Sequence, residues 1–304
     1  MQTEFASAAG ATRKARCYAA AMAVKLRIAI VGPGRLGNAL ALELYRARYR
    51  VSAVVCGNSH ASRKQARALA RQVQARCIAA GMSFDADLVW FCVPDREIAR
   101  AARQVADVVE WKGKVALHSS GAMASDELRE LRGRGAAVAS VHPLMTFVRA
   151  AVPSLKGVPF ALEGDGRALR VAHKIVRDLG GEGFSVSKRK KLAYHAWGAF
   201  TSPLVIALLV TGERVARAAG LSSAEARTKM MPIVRQTLAN YAKLGPGGAF
   251  SGPIVRGDAQ VVRQHLSELK KIPGAADVYA ALARAALRYL PAGNRKELER
   301  ILLR

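Results

Sequence analysis

The segment that most constrains the fold is a glycine-rich turn, GPGRLG, at residues 32–37. It follows a short apolar run, KLRIAIV, and precedes NALALELYR, in which apolar residues recur at helical spacing. A strand that enters a helix through such a turn is the setting in which these glycines bind a dinucleotide. Gly32 would permit the tight turn, Gly34 would let the backbone approach a pyrophosphate, and Gly37 would let helix and strand pack closely.

Apolar strands and amphipathic helices alternate after this turn as far as about residue 186. The runs RVSAVV, DLVWFCV, KVALH and AAVASV have the pattern of buried strands, which is typical of a parallel sheet. A basic segment, which we predict as a helix over 62–80, follows the second strand. We therefore predict an α/β fold, a Rossmann-type doubly wound parallel sheet over residues 25–187, followed by an all-α helical domain.

The strand pattern ends at a basic run, SKRKK, and residues 188–304 predict an all-helical domain for substrate binding and dimerisation. One long helix is expected over 193–219, with a kink at Pro203. Ser222 and Glu225 form a capping-box pattern that opens the next helix. The Gly- and Pro-rich stretch 245–257 is predicted to be a loop.

The first 24 residues are Ala-rich, contain Arg13, Lys14 and Arg16, and lack a continuous apolar core. A secretory signal would place its charges before a longer apolar run. We predict that residues 1–24 are a disordered extension, or that translation starts later, for example at Met22.

The end of the second strand discriminates between two dinucleotides. An NAD site usually presents Asp or Glu there to the ribose 2′-hydroxyl, whereas this chain has CGNS and then Arg63 and Lys64. This predicts NADP, with Arg63, Lys64 or Arg35 available to a 2′-phosphate, although Arg63 and Lys64 equally suit a solvated helix face. Asp95 follows the next buried strand, and its alternative role is to cap the helix that begins after it. The predicted cofactor-binding residues are Gly32, Gly34, Arg35, Leu36, Gly37, Asn58, Ser59, Arg63, Val93, Pro94 and Asp95.

The formal net charge is +26, from 48 Lys and Arg against 22 Asp and Glu. Such a charge suits a polyanionic partner, but the basic residues are dispersed, aromatic residues are 6% of the chain, and no nucleic-acid-binding module is evident. The pattern therefore disfavours nucleic acid and favours an Arg-rich surface with one phosphate-bearing cofactor.

The four cysteines are scattered without a Cys-x-x-Cys pair, which predicts no metal site and a reducing, cytoplasmic location. No apolar run reaches the about 20 residues that a membrane helix needs. The longest, at 196–210, is interrupted by Ser202 and Pro203, and we predict that it is a buried core helix and that the protein has no membrane partner.

Several segments occur in an order that resembles one known family: GPGRLGNAL, VWFCVPD, HSSGA, SVHPLMTF, GVPFALEGD, YHAW and GPIVRGD. This family pairs a Rossmann-like domain with a C-terminal helical domain of unknown function. It is related to pyrroline-5-carboxylate reductase, prephenate dehydrogenase and the 6-phosphogluconate/β-hydroxyacid dehydrogenases. The resemblance covers about residues 25–290 and implies an NADP-dependent oxidoreductase whose substrate is not established. Pro203 departs from the pattern, where a polar Asn is expected after Ser202.

Hydride transfer needs a positioned nicotinamide and usually a group that gives or takes a proton. Ser120 follows a predicted strand, as does His142, and the resemblance to prephenate dehydrogenases implies a site histidine at His142. Lys191 and His195 share a helix face, at a point where β-hydroxyacid dehydrogenases carry a Lys and an Asn four residues later. The alternatives are a structural turn for His142, a solvated basic run for Lys191 and a core histidine at His195.

The leading hypothesis is an NADP(H)-dependent oxidoreductase that acts on a small anionic substrate in the interdomain cleft, with His142, His195, Lys191 and Ser120 as catalytic candidates. One alternative is a non-catalytic NADP-binding or sensing protein, and a second is a basic nucleic-acid-binding protein. The apolar content of the helical half predicts a homodimer formed mainly through residues 193–290.

Overall fold

The computed structural model describes residues 26–148 and 153–303. The predicted N-terminal extension, residues 1–24, lies outside these described residues. The strands are β1 (Arg27–Val31), β2 (Arg50–Cys56), β3 (Arg76–Ala79), β4 (Leu88–Phe91), β5 (Val115–His118), β6 (Ala137–Pro143), β7 (Pro159–Gly164) and β8 (Glu182–Ser185). The α-helices are α1 (Arg35–Arg46), α2 (His60–Gln72), α3 (Ile98–Ala106), α4 (Arg129–Gly133), α5 (Gly166–Asp178), α6 (Lys191–Thr201), α7 (Pro203–Ala218), α8 (Ser223–Ala249), α9 (Pro253–Arg256), α10 (Ala259–Leu269), α11 (Ala275–Tyr289) and α12 (Arg295–Leu302).

The strands form one sheet in the order β3-β2-β1-β4-β5-β6-β7-β8. This order reverses direction beside β1, so the prediction of an α/β, doubly wound sheet is confirmed. One neighbouring pair departs from the parallel pattern, because β6 and β7 run antiparallel. The described part of the segment between them contains no helix, and a parallel connection usually needs a crossover helix.

The core occupies both faces of the sheet. Alternate residues of β1 separate between the two layers, with Ile28 and Ile30 in one and Ala29 and Val31 in the other. Burial on both faces explains why the strands read as nearly continuous apolar runs.

The helix predicted over 62–80 is wrong at its C-terminal end. Helix α2 ends at Gln72, the backbone turns through a positive φ of 53° at Gln74, and Arg76–Ala79 pairs with β2 as the edge strand. Pairing with β2 therefore overrides the local helical pattern.

The helical half differs from its prediction at two breaks. The kink predicted at Pro203 is a full break into two helices, because the φ of −132° and ψ of −81° at Ser202 lie outside helical values and Pro203 begins the second helix. The stretch 245–257 is not wholly a loop, because α8 extends to Ala249 across a kink at Gly245 and α9 follows it. The capping box is confirmed, since Ser222 and Glu225 exchange both hydrogen bonds.

Contacts divide the chain into two compact units, with the division after Gly198, whereas the boundary predicted from sequence lies after residue 187. Helix α6 contributes to the first unit because Lys191 and Tyr194 are buried. The second unit has its own small core of Val262, Ala283, Leu287, Leu298 and Leu302.

Residues 188–218 are long and apolar enough to cross a membrane by length and composition, because they contain an 18-residue window with a mean hydropathy of 1.4. The break at Ser202 leaves helices of 11 and 16 residues, each shorter than the about 20 that a span requires. The prediction of a buried core helix at 196–210 is wrong for the single chain, because α7 contains no buried residue.

Candidate functional site

The glycine turn after β1 has two tightly packed positions and one open position. At Gly32 φ is 99°, and a Cβ atom would lie 2.7 Å from the carbonyl oxygen of Cys92. A Cβ at Gly37 would overlap the carbonyl oxygen of Gly32. At Gly34, the N-cap of α1, no atom would lie within 4 Å of a Cβ. The lack of a side chain at Gly32 and Gly37 therefore allows the turn to pack closely, and the lack of one at Gly34 leaves space at the helix N-terminus.

A cavity of about 470 Å³ adjoins this open position at the carboxyl ends of β1, β2 and β4. Its wall combines the glycine turn with polar groups from the start of α2 and from α3. The cavity is lined by six of the predicted cofactor-binding residues: Gly32, Gly34, Asn58, Ser59, Val93 and Pro94. Since parallel sheets bind ligands at this edge, the position suits an extended ligand with an anionic group.

The other predicted cofactor residues lie outside the cavity wall. The exposed Arg35 donates to the carbonyl oxygen of Phe147 at 3.1 Å, and Leu36 packs against the core. Arg63 is exposed on α2, where its charge opposes the rise that burial causes in the pKa of Cys56. Asp95 begins a short 3₁₀ turn without a side-chain cap bond.

A second cluster lies at the ends of β5 and β6, around Lys191. This side chain is 2% exposed, and its Nζ donates to the carbonyl oxygen of Ser120 at 3.1 Å and to Oγ of Ser140 at 2.5 Å. Burial lowers the pKa of Lys191 to about 8, and the negative charges of Glu163 and Asp95 partly oppose this shift. Lys191 is therefore an ammonium at neutral pH, and the alternative of a solvated basic residue does not fit its burial.

The Ser120 hydroxyl shapes the turn after β5. Its Oγ accepts from the backbone N–H groups of Ala122, at 3.2 Å, and Met123, at 2.8 Å. This arrangement fixes Gly121 beside the cluster, while a catalytic role for Ser120 stays a prediction.

His142 and His195 face one another across Gly121. Their ring centroids are 6.3 Å apart, and a Cβ on Gly121 would lie 2.8 Å from Cδ2 of His195 and 2.9 Å from Nε2 of His142. Burial, with smaller contributions from Lys191 and His195, lowers the pKa of His142 to about 4. His142 is therefore neutral at physiological pH.

Two members of this cluster, Tyr194 and Ser140, were missed in the sequence. Tyr194 is buried and its hydroxyl lies 2.7 Å from Nδ1 of His142. Its position three residues after Lys191 and next to His195 was a usable signal, because residues three apart share a helix face. Ser140 had no such signal, since only the folding of β6 against α6 brings it to Lys191.

His118 is a buried histidine of this region with a structural role. Its Nε2 lies 3.0 Å from the carbonyl oxygen of Ala124, and its Nδ1 accepts from the N–H of Ser120. Burial lowers its pKa to about 4, so both ring nitrogens are used by the backbone as a neutral imidazole. Among residues 26–148 and 153–303, no group of three or more His, Cys, Asp or Glu is arranged to hold a metal ion.

Comparison with known domains agrees with this architecture. Residues 14–143 match the Rossmann-like domain model, and residues 158–286 match a domain of unknown function, DUF2520. The chain carries a Rossmann-like domain followed by a DUF2520 domain. The family resemblance stated from the sequence motifs is thus confirmed. In a separate comparison, no curated protein matches the chain.

Solved structures share this fold across most of the chain. A Bacteroides fragilis protein described as a candidate NADP oxidoreductase is 21% identical, with a TM-score of 0.71 over 86% of this chain and 97% of its own. A Thermotoga maritima protein is 26% identical, with a TM-score of 0.68 over 90% and 98%. A reductive aminase from Aspergillus terreus, in complex with NADPH and ethyl-5-oxohexanoate, is 16% identical, with a TM-score of 0.61 over 91% and 99%.

Proposed function

We propose that this Rossmann-like and DUF2520 chain is an NADP(H)-dependent oxidoreductase. The observation that carries the proposal is the open cradle at Gly34, on the same sheet edge as the Lys191 and His142 cluster. A dinucleotide whose pyrophosphate rests on the N-terminus of α1 would extend along this edge toward β5 and β6. The solved reductive aminase with this fold holds NADPH, which supports the cofactor class.

The end of β2 supports NADP rather than NAD. No carboxylate lies among residues 56–59, and Ser59 caps α2 by accepting from the N–H of Ser62 at 3.1 Å. Arg63 lies one turn into the same helix. A 2′-phosphate at this point would meet hydroxyl groups, backbone N–H groups and a guanidinium, without repulsion from an acid.

The second cluster supplies the residues for proton transfer. When bound, the nicotinamide would supply the hydride. Lys191 has three N–H groups, of which Ser120 and Ser140 hold two, and the third remains for a substrate. As an ammonium, Lys191 can anchor an anionic group or donate a proton to a reduced carbonyl or imine. We therefore propose a small anionic substrate, with His142 and His195 beside it.

The experiment that tests this function is a titration of the unmodified protein with NADPH and NADH. NADPH is expected to bind at least about tenfold more tightly, because charge-assisted contacts to the 2′-phosphate contribute about 1.5–3 kcal/mol. Arg63→Ala is expected to reduce the difference between the NADPH and NADH affinities, mainly by weakening the binding of NADPH. Arg71→Ala, further along the same exposed helix, is the matched control. Absence of NADPH binding to the unmodified protein would remove the proposal.

A reducing compartment fits the thiols of this protein, and a cytoplasmic location is part of the proposal. Cys56, Cys77 and Cys92 are free cysteines in the described part of the chain. Cysteines that persist without pairing are typical of cytosolic proteins.

We also propose that a second copy of the chain covers the exposed apolar side chains of α6 to α8. Phe200 is 70% exposed, and large side chains on the following helices are exposed as well: Leu204, Ile206, Leu208, Val210, Ile233, Leu238, Tyr241 and Leu244. A monomer rarely leaves so much contiguous apolar surface in water, whereas obligate dimer interfaces are apolar.

Light scattering at micromolar concentration is expected to give twice the chain mass. Ile206→Asp combined with Val210→Asp places two charges on one face of α7 and is expected to shift the protein to monomer or to aggregate. Arg214→Ala on the same helix is expected to leave the dimer intact. A monomeric unmodified protein contradicts the proposal. A protein that stays in solution only with detergent also contradicts it, and would favour a membrane as the surface that covers these side chains.

A further inference from the structure

The contact between His142 and Tyr194 determines which ring nitrogen of His142 carries the proton. The Tyr194 hydroxyl lies 2.7 Å from Nδ1 of His142, and the two rings meet edge to face with centroids 5.6 Å apart. Tyr194 is also packed against Phe184 and Trp197, so its ring is held from several sides. A neutral imidazole carries its proton on only one nitrogen, and the partner of Nδ1 selects which one.

The hydrogen bond runs from Tyr194 to His142. Within residues 26–148 and 153–303 the Tyr194 hydroxyl has no other acceptor, so the reverse direction would leave its O–H unpaired in a buried place. An unpaired buried donor costs about 1–3 kcal/mol. With Tyr194 donating, Nδ1 is an acceptor and the imidazole proton sits on Nε2.

We infer that Tyr194 is a positioning residue that holds His142 as the Nε2–H tautomer, so that His142 offers a substrate a hydrogen-bond donor and not a base. This inference rests on the proposed oxidoreductase function for the identity of the ligand, an oxygen or imine nitrogen that accepts a hydrogen bond. Gly121 keeps the donor accessible, because a Cβ there would lie 2.9 Å from Nε2.

The charged and titratable neighbours of His142 agree with a neutral ring. Lys191, Tyr194 and His195 face it from α6, and His118 lies on the neighbouring strand β5. Lys191 is a cation, and both Lys191 and His195 oppose a second positive charge on His142. The roles therefore divide, with the ammonium of Lys191 carrying charge and a transferable proton, and His142 polarising the acceptor atom as a neutral donor.

The test is long-range ¹H–¹⁵N NMR of the full chain at pH 7 without ligand, with His142 assigned by its loss in His142→Gln. The unmodified protein is expected to show Nε2 protonated and Nδ1 unprotonated. In Tyr194→Phe the ratio of the two tautomers is expected to fall by about fivefold, the equivalent of one net hydrogen bond of about 1 kcal/mol. Tyr279→Phe is the matched control, since the Tyr279 hydroxyl lies 3.2 Å from Nδ1 of a different histidine, His265.

Each result decides the inference. A proton on Nδ1 in the unmodified protein overturns it, even if Tyr194→Phe fails to fold. An unchanged tautomer ratio in a folded Tyr194→Phe protein removes the positioning role. NADPH titration of the same samples separates the two proposals. Failure to bind NADPH together with a retained Nε2–H signal would contradict the oxidoreductase function and support the tautomer of His142.

Discussion

Gly34→Asp is expected to weaken NADPH binding by at least about 100-fold, equivalent to about 2.7 kcal/mol, while the protein stays folded. The new carboxylate would occupy the open space above the turn and repel the pyrophosphate that the helix N-terminus attracts. Gly34 is the N-cap of α1, with extended backbone and no side-chain cap. Asp is a favoured N-cap residue, so the thermal unfolding midpoint should hold or rise.

Gly37→Ala is the contrasting variant for this prediction. Its methyl group would overlap the carbonyl oxygen of Gly32, so we expect a loss of stability of about 1–3 kcal/mol or more from overpacking. Thermal unfolding and fluorescence titration with NADPH measure the two effects separately. A Gly34→Asp protein that binds NADPH as tightly as the unmodified protein would show that this turn does not hold the pyrophosphate.

Lys191→Met is expected to lower turnover by about 10³-fold, within the range of about 10²–10⁴ that a positioned acid or base contributes. The change keeps most of the buried stem and removes the ammonium. Ser140 Oγ donates to the Ser120 carbonyl oxygen at 2.9 Å, so that acceptor stays paired and the fold should be retained. NADPH affinity is expected to change little, because Lys191 is not among the residues that line the cofactor cavity.

The pH dependence of the unmodified protein gives a second measurement of Lys191. The pKa of Lys191 is lowered to about 8, and the proton donor is the ammonium form. The rate of the reductive reaction is therefore expected to be sustained below pH 8 and to fall as the pH rises above it. Initial rates on the best substrate from a panel of oxo acids and imines, followed by NADPH absorbance, measure both effects.

Lys190→Met, at the exposed neighbouring position, is the matched control and is expected to be fully active. A Lys191→Met protein that keeps more than about a tenth of the rate contradicts a role in proton transfer. If the unmodified protein binds NADPH but turns over nothing in the panel, the non-catalytic binding or sensing alternative gains support.

The fold was predictable wherever the deciding interactions are local in the chain. The β1 strand, the GPGRLG turn and α1 are contiguous, so the spacing of Gly32, Gly34 and Gly37 predicts the turn before any tertiary contact forms. The Ser222 and Glu225 capping box is confirmed for the same reason, since its two hydrogen bonds span three residues. Strand β3 was missed because its four residues continue the basic helical pattern of the preceding segment, and only pairing with β2 makes them a strand.

The candidate site divides in the same way. From its sequence alone, this chain determines a glycine turn, a doubly wound sheet and histidines and a lysine near strand ends, because each follows from spacing over a few residues. Only the tertiary structure decides that Lys191 is buried against Ser140 and that the Tyr194 hydroxyl lies against Nδ1 of His142. These contacts join residues more than 50 positions apart, and such pairs come together only when β6 and α6 pack, which no local pattern encodes.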